Sequence, residues 1–220
     1  CYHWPMTHFF LVRHGENDWV KKNRLAGWIP GVHLNENGRC QAQDAGARLA
    51  PQPVKAIYSS PVVRCVETAE YLTPHFQLPI IINEEFGETR YGEWEGKKVK
   101  KLAKKPQWQI VQFFPSRMRF PGGEALREVQ FRAIQALEKL GDQHKSESVV
   151  VVSHADVIKL VLAHYLGVHI DIFQRIAVSP ASISVLHLSE KGFLRVLRVN
   201  DDGPMKPFVT EPENEKSSKE

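Results

Sequence analysis

Phe9-Phe10-Leu11-Val12, followed at once by Arg13-His14-Gly15, is the segment most informative about the fold of this 220-residue chain. A continuous apolar run of this kind is typical of a central parallel strand that is covered on both faces. Val149 to Val152 has the same character, and Val54 to Tyr58 is a weaker candidate for the same sheet. Each run leads into a helical pattern. The sequence therefore predicts an α/β fold, a three-layer α/β/α sandwich with a mainly parallel central sheet.

Cap and turn residues punctuate the segments between these runs. Ser60 and Pro61 have the character of an N-cap and a first helical position, and Pro74 is expected to end that helix. Residues 124–140 place apolar side chains on one face, with Gly141 suited to the C′ position.

The last part of the chain predicts a buried helix, an edge hairpin and a tail. Residues 156–166 are apolar nearly all round and end at Gly167. Two β-like segments between Ile183 and Val199 flank a Ser-Glu-Lys-Gly turn, which predicts a hairpin at the sheet edge. We expect one domain over residues 6–202, preceded by an extension at residues 1–5, with 90–121 as an insertion that roofs a site. Residues 203–220 are charged and proline-punctuated, and we interpret them as a disordered tail.

The composition narrows the class of protein. Hydrophobic residues make up 42% and charged residues 25%, the balance of a soluble globular protein. A net charge of +4 falls short of the concentrated basic surface of a nucleic-acid binder, and no apolar run approaches the ~20 residues of a membrane span. The three cysteines, Cys1, Cys40 and Cys65, form no metal-ligand spacing and suit reduced thiols. We expect a cytoplasmic protein with no nucleic-acid or membrane partner, and a homodimer stays open.

Arginine and histidine side chains gather where the predicted parallel strands end. The first strand ends in Arg13-His14, the second leads to Arg64 in the first turns of a helix, and the third ends in Ser153-His154. Ligands of open α/β sheets bind beyond these strand ends. Guanidinium groups bind phosphate oxygens in bidentate fashion, and the helix predicted to start at Pro61 would add its positive N-terminus. A neutral imidazole among these cations is an available nucleophile.

An ordered set of motifs resembles one known family across residues 8–200. The first three motifs are Leu-Val-Arg13-His14-Gly15-Glu16, Leu25-Ala-Gly-Trp28 and Leu34-Asn-Glu-Asn-Gly38. Tyr58-Ser-Ser-Pro-Val-Val-Arg64-Cys-Val-Glu-Thr68, Glu88-Thr-Arg-Tyr91-Gly92-Glu-Trp94, Phe120-Pro-Gly-Gly-Glu124 and Val152-Ser-His154 follow. In this order they resemble the opening and later motifs of the histidine phosphatase superfamily, which is also called phosphoglycerate-mutase-like. The resemblance implies a histidine acid phosphatase-like phosphomonoesterase that uses no metal and no cofactor.

The resemblance also implies a role for each catalytic candidate. His14 would be the nucleophile that becomes phosphorylated. Arg13, Arg64 and His154 would hold the phosphoryl oxygens, and Glu88 would protonate the leaving oxygen and then act as a base toward water. The residues expected to contact a small phosphorylated metabolite are Arg13, His14, Asn17, Arg64, Glu88, His154 and Ala155.

The sequence departs from the family pattern at three of its positions. Asn17 stands where serine or threonine is usual, and Val20 stands where asparagine is usual. Ala155 replaces the glycine that commonly follows the second histidine. None of these changes removes a core catalytic group, but together they limit what can be inferred about the substrate.

Three alternatives stay open. A cofactor-dependent phosphoglycerate mutase would use the same histidine, but Trp108-Gln-Ile stands where mutases carry a Trp-Arg-Arg-type segment. A metal hydrolase could draw ligands from His14, Glu16, Asp18, His154 and Asp156, although two neighbouring arginines would repel a cation. A non-catalytic module could bind nucleic acid or an acidic partner through the lysine-rich stretch 97–105, which also has the pattern of one amphipathic helix.

Overall fold

The computed structural model describes residues 6–189 and 194–203, whose strands form one six-stranded sheet. The strands are β1 (Met6–Arg13), β2 (Val54–Ser59), β3 (Ile80–Ile82), β4 (Ser148–Ser153), β5 (Ile183–Ser189) and β6 (Leu194–Asp201). Their order across the sheet is β3-β2-β4-β1-β5-β6. β1 to β4 are mutually parallel, whereas β5 is antiparallel to β1 and β6 is antiparallel to β5. The mainly parallel sheet and the edge hairpin are therefore confirmed; residues 190–193 of its turn lie outside the described residues.

The helices follow the strands along the chain. They are α1 (Asp18–Lys21), α2 (Glu36–Leu49), α3 (Val63–Glu70), α4 (Thr73–Phe76), α5 (Val99–Leu102), α6 (Pro106–Phe113), α7 (Leu126–Gln143) and α8 (Ala155–Tyr165). Single 3₁₀ turns at 84–86, 92–94 and 115–117 and a longer one at 170–175 complete the regular structure of the described part.

Alternate residues of the central strands face opposite sides of the sheet, which produces two hydrophobic cores. Phe9 and Val151 belong to the core that packs under α7 and α8. Phe10 and Val150 belong to the core that packs under α2 and α3. Because side chains alternate along a strand, a run that is apolar at every position needs helices on both faces. The three-layer α/β/α sandwich is confirmed.

Three predicted helix boundaries are wrong. α3 starts at Val63, with Val62 rather than Ser60 at its N-cap, and no side chain caps it. Pro74 does not stop a helix but lies in the first turn of α4. Gly141 lies inside α7, which continues to Gln143, and glycine stands there because a side chain at 141 would meet Leu188 of β5. Gly167, in contrast, follows α8 with a positive φ of 66°, as predicted.

The lysine-rich stretch and the predicted roof also differ in detail from expectation. The prediction of one amphipathic helix over 97–105 is wrong, because α5 is a single turn and Lys105 is the N-cap of α6. The segment 90–121 packs largely on the α7 side of the sheet through side chains that include Trp94, Leu102 and Phe120.

In the described residues Cys40 and Cys65 are free thiols, and no helix is long and apolar enough to cross a membrane. Most of the predicted tail, 204–220, lies outside the described residues.

The carboxyl ends of β1, β2 and β4 meet at one rim of the sheet. Arg13 is the register partner of Ser153, and Ser59 is the partner of Val152. The chain stays in contact just beyond the strands, because the His14 amide donates to the Ser153 carbonyl at 3.0 Å. The residues that follow these three strands are thereby held side by side.

Candidate active site

His14 is buried, and one of its ring nitrogens is fixed by the backbone. Its side chain is only 3% exposed, and Nδ1 lies 2.8 Å from the Gly15 carbonyl oxygen. Because a carbonyl only accepts, Nδ1 carries the proton and Nε2 keeps a free electron pair. Burial, together with the charges of Arg64 and Arg13, holds the pKa of His14 well below its usual value. The ring is therefore neutral at neutral pH, as a candidate nucleophile requires.

The loop that carries His14 is locked against the start of α2. A side-chain carbon on Gly15 would lie 2.4 Å from the Gly38 carbonyl oxygen. A side-chain carbon on Gly38 would lie 2.0 Å from the Glu16 carbonyl oxygen. Two backbones therefore approach each other at a distance that only glycine allows on either side.

Arg64 is the centre of the site. It lies in the first turn of α3, is 1% exposed, and donates from Nε to His14 Nε2 at 3.1 Å. Its Nη2 lies 3.1 Å from His154 Nδ1 and 3.4 Å from Glu88 Oε2. One guanidinium group therefore contacts the candidate nucleophile, the second histidine and the candidate acid at once.

His154 stands behind Arg64 and is fully buried at the start of α8. Its Nδ1 accepts from Arg64, so Nε2 carries the proton and donates to Ser60 Oγ at 2.8 Å. Burial and the charge of Arg64 hold its pKa well below the usual value. In this tautomer His154 orients Arg64, and it would need a second proton to donate to a phosphoryl oxygen. Ser60 thus serves His154 instead of capping α3.

Cys65 lies against the same histidine but is not a second nucleophile. Its Sγ is 3.4 Å from His154 Nε2, and the residue is fully buried. Burial raises the pKa of the thiol to about 12, so it stays protonated and unreactive.

Glu88 has the protonation behaviour of an acid–base group. It is 9% exposed, and its Oε1 accepts from the Thr89 amide at 3.0 Å. Burial raises its pKa to about 7, with a further increase from the negative charge of Asp156 and an opposing effect from Arg64. At neutral pH both the acid and the base form are therefore populated, which is what a group that first donates and then accepts a proton requires.

Three buried N–H groups around His14 have no acceptor among the described residues. They are Arg13 Nε, Arg64 Nη1 and Asn17 Nδ2. The other end of each side chain is fixed: Arg13 Nη1 donates to the Val178 carbonyl at 2.6 Å, and Asn17 Oδ1 caps α1 by accepting from the Trp19 and Val20 amides. Buried donors without acceptors are costly, so convergent ones indicate an anion site.

These groups open into one cleft of about 140 Å³. Six of the seven predicted substrate contacts line it, whereas His154 lies behind the wall formed by Arg64. The lining residues are Arg13, His14, Asn17, Val20, Arg24, Leu25, Ala26, Arg64, Glu88, Tyr91, Ala155 and Asp156.

Sequence reasoning missed one polar pair in this cleft. The Tyr91 hydroxyl donates to Asp156 Oδ2 at 3.2 Å, and Asp156 Oδ1 lies 3.6 Å from Lys159 Nζ. The sequence presents Tyr91 only as part of a motif, and Asp156 only as a potential metal ligand. Tyr91 is also the one residue of the predicted roof that lines the cleft.

The ligands proposed for a metal hydrolase do not assemble. Within residues 6–189 and 194–203, no three His, Cys, Asp or Glu side chains are grouped as a metal site. Glu16 instead accepts from Asn35 at 2.8 Å, and Asp18 pairs with Lys22 at 3.8 Å. The cationic Arg13 and Arg64 occupy the space next to His14, where a metal ion would be repelled.

Comparison with known proteins gives matches over nearly the whole chain. The profile of the histidine phosphatase superfamily (branch 1) matches residues 9–202. Phosphoserine phosphatase 1 of Hydrogenobacter thermophilus is 31% identical over 188 residues, which cover 84% of this chain and 89% of that protein. Phosphoglycerate mutase-like protein 4 of Arabidopsis thaliana is 30% identical over 204 residues, 84% of this chain and 88% of that one. Among solved structures, Bacillus stearothermophilus YhfR superposes with a TM-score of 0.82 at 30% identity and covers 89% of this chain and 97% of its own.

Proposed function

This chain belongs to the histidine phosphatase superfamily, and from that premise we propose that it hydrolyses phosphate monoesters of small metabolites through a covalent phosphohistidine on His14. The observation that carries the proposal is the set of three unpartnered N–H groups on Arg13, Asn17 and Arg64 around a neutral histidine. They match the non-bridging oxygens of a phosphoryl group. The proposed chemistry uses no metal and no cofactor.

In the first step the phosphoryl oxygens replace the contact between Arg64 Nε and His14 Nε2. The Nε2 electron pair attacks phosphorus, and the bond from phosphorus to the ester oxygen breaks. The leaving oxygen takes the proton of Glu88, so an alcohol departs and Glu88 becomes a carboxylate. Arg13 and Arg64 stabilise the charge that develops on the phosphoryl oxygens. The Gly15 carbonyl stabilises the ring as it becomes positive by accepting from Nδ1.

In the second step water replaces the alcohol. Glu88 takes a proton from that water as the oxygen attacks phosphorus, and the bond from phosphorus to His14 Nε2 breaks. Inorganic phosphate leaves, and both His14 and Glu88 return to their starting states. A carboxyl group with a pKa of about 7 serves both steps without a second acid.

A small leaving group fits the volume of the cleft. The space of about 140 Å³ accommodates the phosphoryl group together with a short alcohol. Phosphoserine phosphatase 1 is a relative with this kind of small substrate in its name. We propose a phosphorylated small metabolite of that size as the substrate class.

No contact in the described residues favours a mutase. Trp108, which stands in place of the segment that mutases use, stacks on the buried Trp94 with ring centres 6.1 Å apart. It serves the core of the 90–121 segment and does not line the cleft. Water is therefore the proposed acceptor of the phosphoryl group.

Trapping the intermediate tests the proposal. Rapid quenching with a labelled phosphate monoester should give an acid-labile, base-stable adduct on the peptide that contains His14. His14→Ala should give no adduct and no turnover. Cys65→Ser is a matched control, since it changes a buried side chain beside His154 and should keep the adduct. An active His14→Ala protein, or no adduct under single-turnover conditions, would refute the mechanism.

A further inference from the structure

Residues 97–119, here called the basic segment, concentrate positive charge. The segment holds six lysines and two arginines, and it contains none of the chain's 25 Asp and Glu. Yet the whole chain has a net charge of only +4. Six of the cations fall within the nine residues 97–105, a density typical of segments that bind anionic surfaces.

The cations of this segment point to solvent and are mostly unpaired. Lys98, Lys100, Lys101, Lys104 and Lys105 are all exposed. Arg119 pairs with Glu128, but within the described part of the chain no other cation of the segment has a carboxylate at ion-pair distance. The neighbouring apolar residues Leu102, Val111 and Met118 are buried and fix the segment to the core.

Two large apolar side chains of the basic segment are exposed, in contrast to its buried apolar residues. Phe113 is 66% exposed and Phe114 is 53% exposed, at the end of α6, although the segment's other apolar side chains of that size are at least half-buried. On α6, Phe113 shares the outward face with Pro106 and Gln109, at helical spacings of three and four residues. The outward surface therefore runs from Lys104 and Lys105 at one end of α6 to the phenylalanine pair at the other.

We propose that the basic segment docks this protein on an anionic phospholipid surface. The lysines supply long-range attraction to the lipid headgroups, and Phe113 and Phe114 enter the boundary between headgroups and acyl chains. Neither signal alone holds a protein on a membrane, but a polybasic cluster combined with apolar anchors does. The expectation of no membrane partner rested on the lack of a spanning segment, which surface docking does not need.

Nucleic acid is the competing anionic partner. Recognition of nucleic acid relies on arginine forks and on aromatic rings that stack on bases. In this segment all the cations of residues 97–105 are lysines, and Trp108 is stacked on Trp94 instead of facing outward. Phe113 and Phe114 can stack on bases as well as enter hydrocarbon, so the choice of a lipid surface rests on the all-lysine cluster, since arginine is the residue that nucleic-acid recognition favours.

The segment also lies beside the cleft. Lys98 forms a β-bridge with Arg24, and the Leu25 amide donates to the Lys97 carbonyl at 3.1 Å. Arg24 and Leu25 line the cleft. Docking would therefore place Arg24 and Leu25, on this side of the cleft, near the lipid surface.

Vesicle co-sedimentation of the full chain tests the proposal. Phosphatidylcholine vesicles that contain phosphatidylserine should bind the protein at about 0.1 M salt, and should release it when the salt is raised several-fold. Vesicles of phosphatidylcholine alone should not bind it. Substituting Lys100, Lys101 and Lys104 by glutamine should lower partitioning on the order of 100-fold, because each lysine near such a surface contributes roughly a factor of five. Phe113→Gln/Phe114→Gln should lower it about tenfold or more.

Matched controls separate docking from general loss of charge. Lys55→Gln/Lys139→Gln/Lys145→Gln removes the same charge from exposed sites elsewhere and should change partitioning less than about threefold. All variants should hydrolyse an aryl phosphate at the parental rate, which verifies folding. Absence of salt-sensitive binding by the parent protein would overturn the proposal, as would equal losses in the two lysine variants or an unaffected phenylalanine variant. Binding of the parent to RNA but not to the vesicles would identify a nucleic-acid surface and would also overturn it.

Discussion

Replacing Glu88 by glutamine should stabilise the protein at neutral and alkaline pH while it impairs catalysis. The pKa of this carboxyl is about 7 in the folded protein, against an ordinary value of 4.5. A shift of about 2.5 units corresponds to roughly 3 kcal/mol at ~1.4 kcal/mol per unit. Because the pKa of this carboxyl is raised in the folded protein, its contribution to the free energy of unfolding is largest below pH 4.5. That contribution falls as the pH rises to about 7 and stays constant at higher pH.

The expected gain for Glu88→Gln is therefore pH-dependent. It should be below about 1 kcal/mol at pH 5 and approach roughly 3 kcal/mol at pH 8, since the pKa of about 7 already includes the attraction of Arg64 at 3.4 Å. Urea unfolding followed by tryptophan fluorescence at both pH values gives the difference. Glu93→Gln, at an exposed site close in sequence, is the matched control for the loss of one carboxylate.

The same variant tests the catalytic role. Positioned acid catalysis typically contributes ~10²–10⁴-fold, and an activated aryl phosphate needs less of it. Glu88→Gln should therefore slow hydrolysis of alkyl phosphates much more than that of aryl phosphates. A stability difference that is the same at pH 5 and pH 8 would refute the reasoning about the pKa, and equal losses on both substrates would refute the assignment of the acid.

Two substitutions test the anion site, and chelation tests whether a metal takes part. Arg64→Lys should lower kcat/KM at least about 100-fold, since one ammonium group cannot make the contacts to His14, Glu88 and His154 together; near-parental activity in steady-state assays would contradict a central role. Asn17→Ala should raise KM several-fold and lower the melting temperature by about 2–4 °C for the ~1 kcal/mol of a lost helix cap; a lower melting temperature with unchanged KM would leave Asn17 as a cap only. Exhaustive chelation should not change turnover, and a loss that added divalent ions restore would show that a metal takes part.

The sheet and the convergence of charged groups were predictable because they follow from strand periodicity. Runs that are apolar at every position require a central parallel strand, and the ends of such strands meet at one rim. That reasoning alone places Arg13, His14 and Ser153 together. The assignment of Glu88 came from the resemblance of the motif around it, since no periodicity distinguishes it from a surface carboxylate.

The errors arose where a distant contact overrides a local preference. Ser60 has the character of an N-cap, but its hydroxyl is bonded to His154, which follows β4. Gly141 has the character of a C-cap, but the close approach of Leu188 explains why glycine stands inside α7. The pairing of Tyr91 with Asp156 joins a loop to α8 and leaves no trace in the local sequence. Packing partners of this kind are not encoded in the few residues around each site.

The position of β4 between β1 and β2 has a consequence for how activity appears during refolding. His14 and His154 follow strands that are direct neighbours in the sheet but are separated by well over half of the chain. The entropy cost of closing so long a loop precedes the favourable contacts between the strands, so we expect β1 and β4 to pair slowly and late in folding. Neither the first half of the chain nor the second can assemble the cluster around Arg64, so fragments should be inactive even where they form helices. Recovery of enzymatic turnover is thus expected to coincide with the last structural phase of refolding and to lag behind the return of helical circular dichroism.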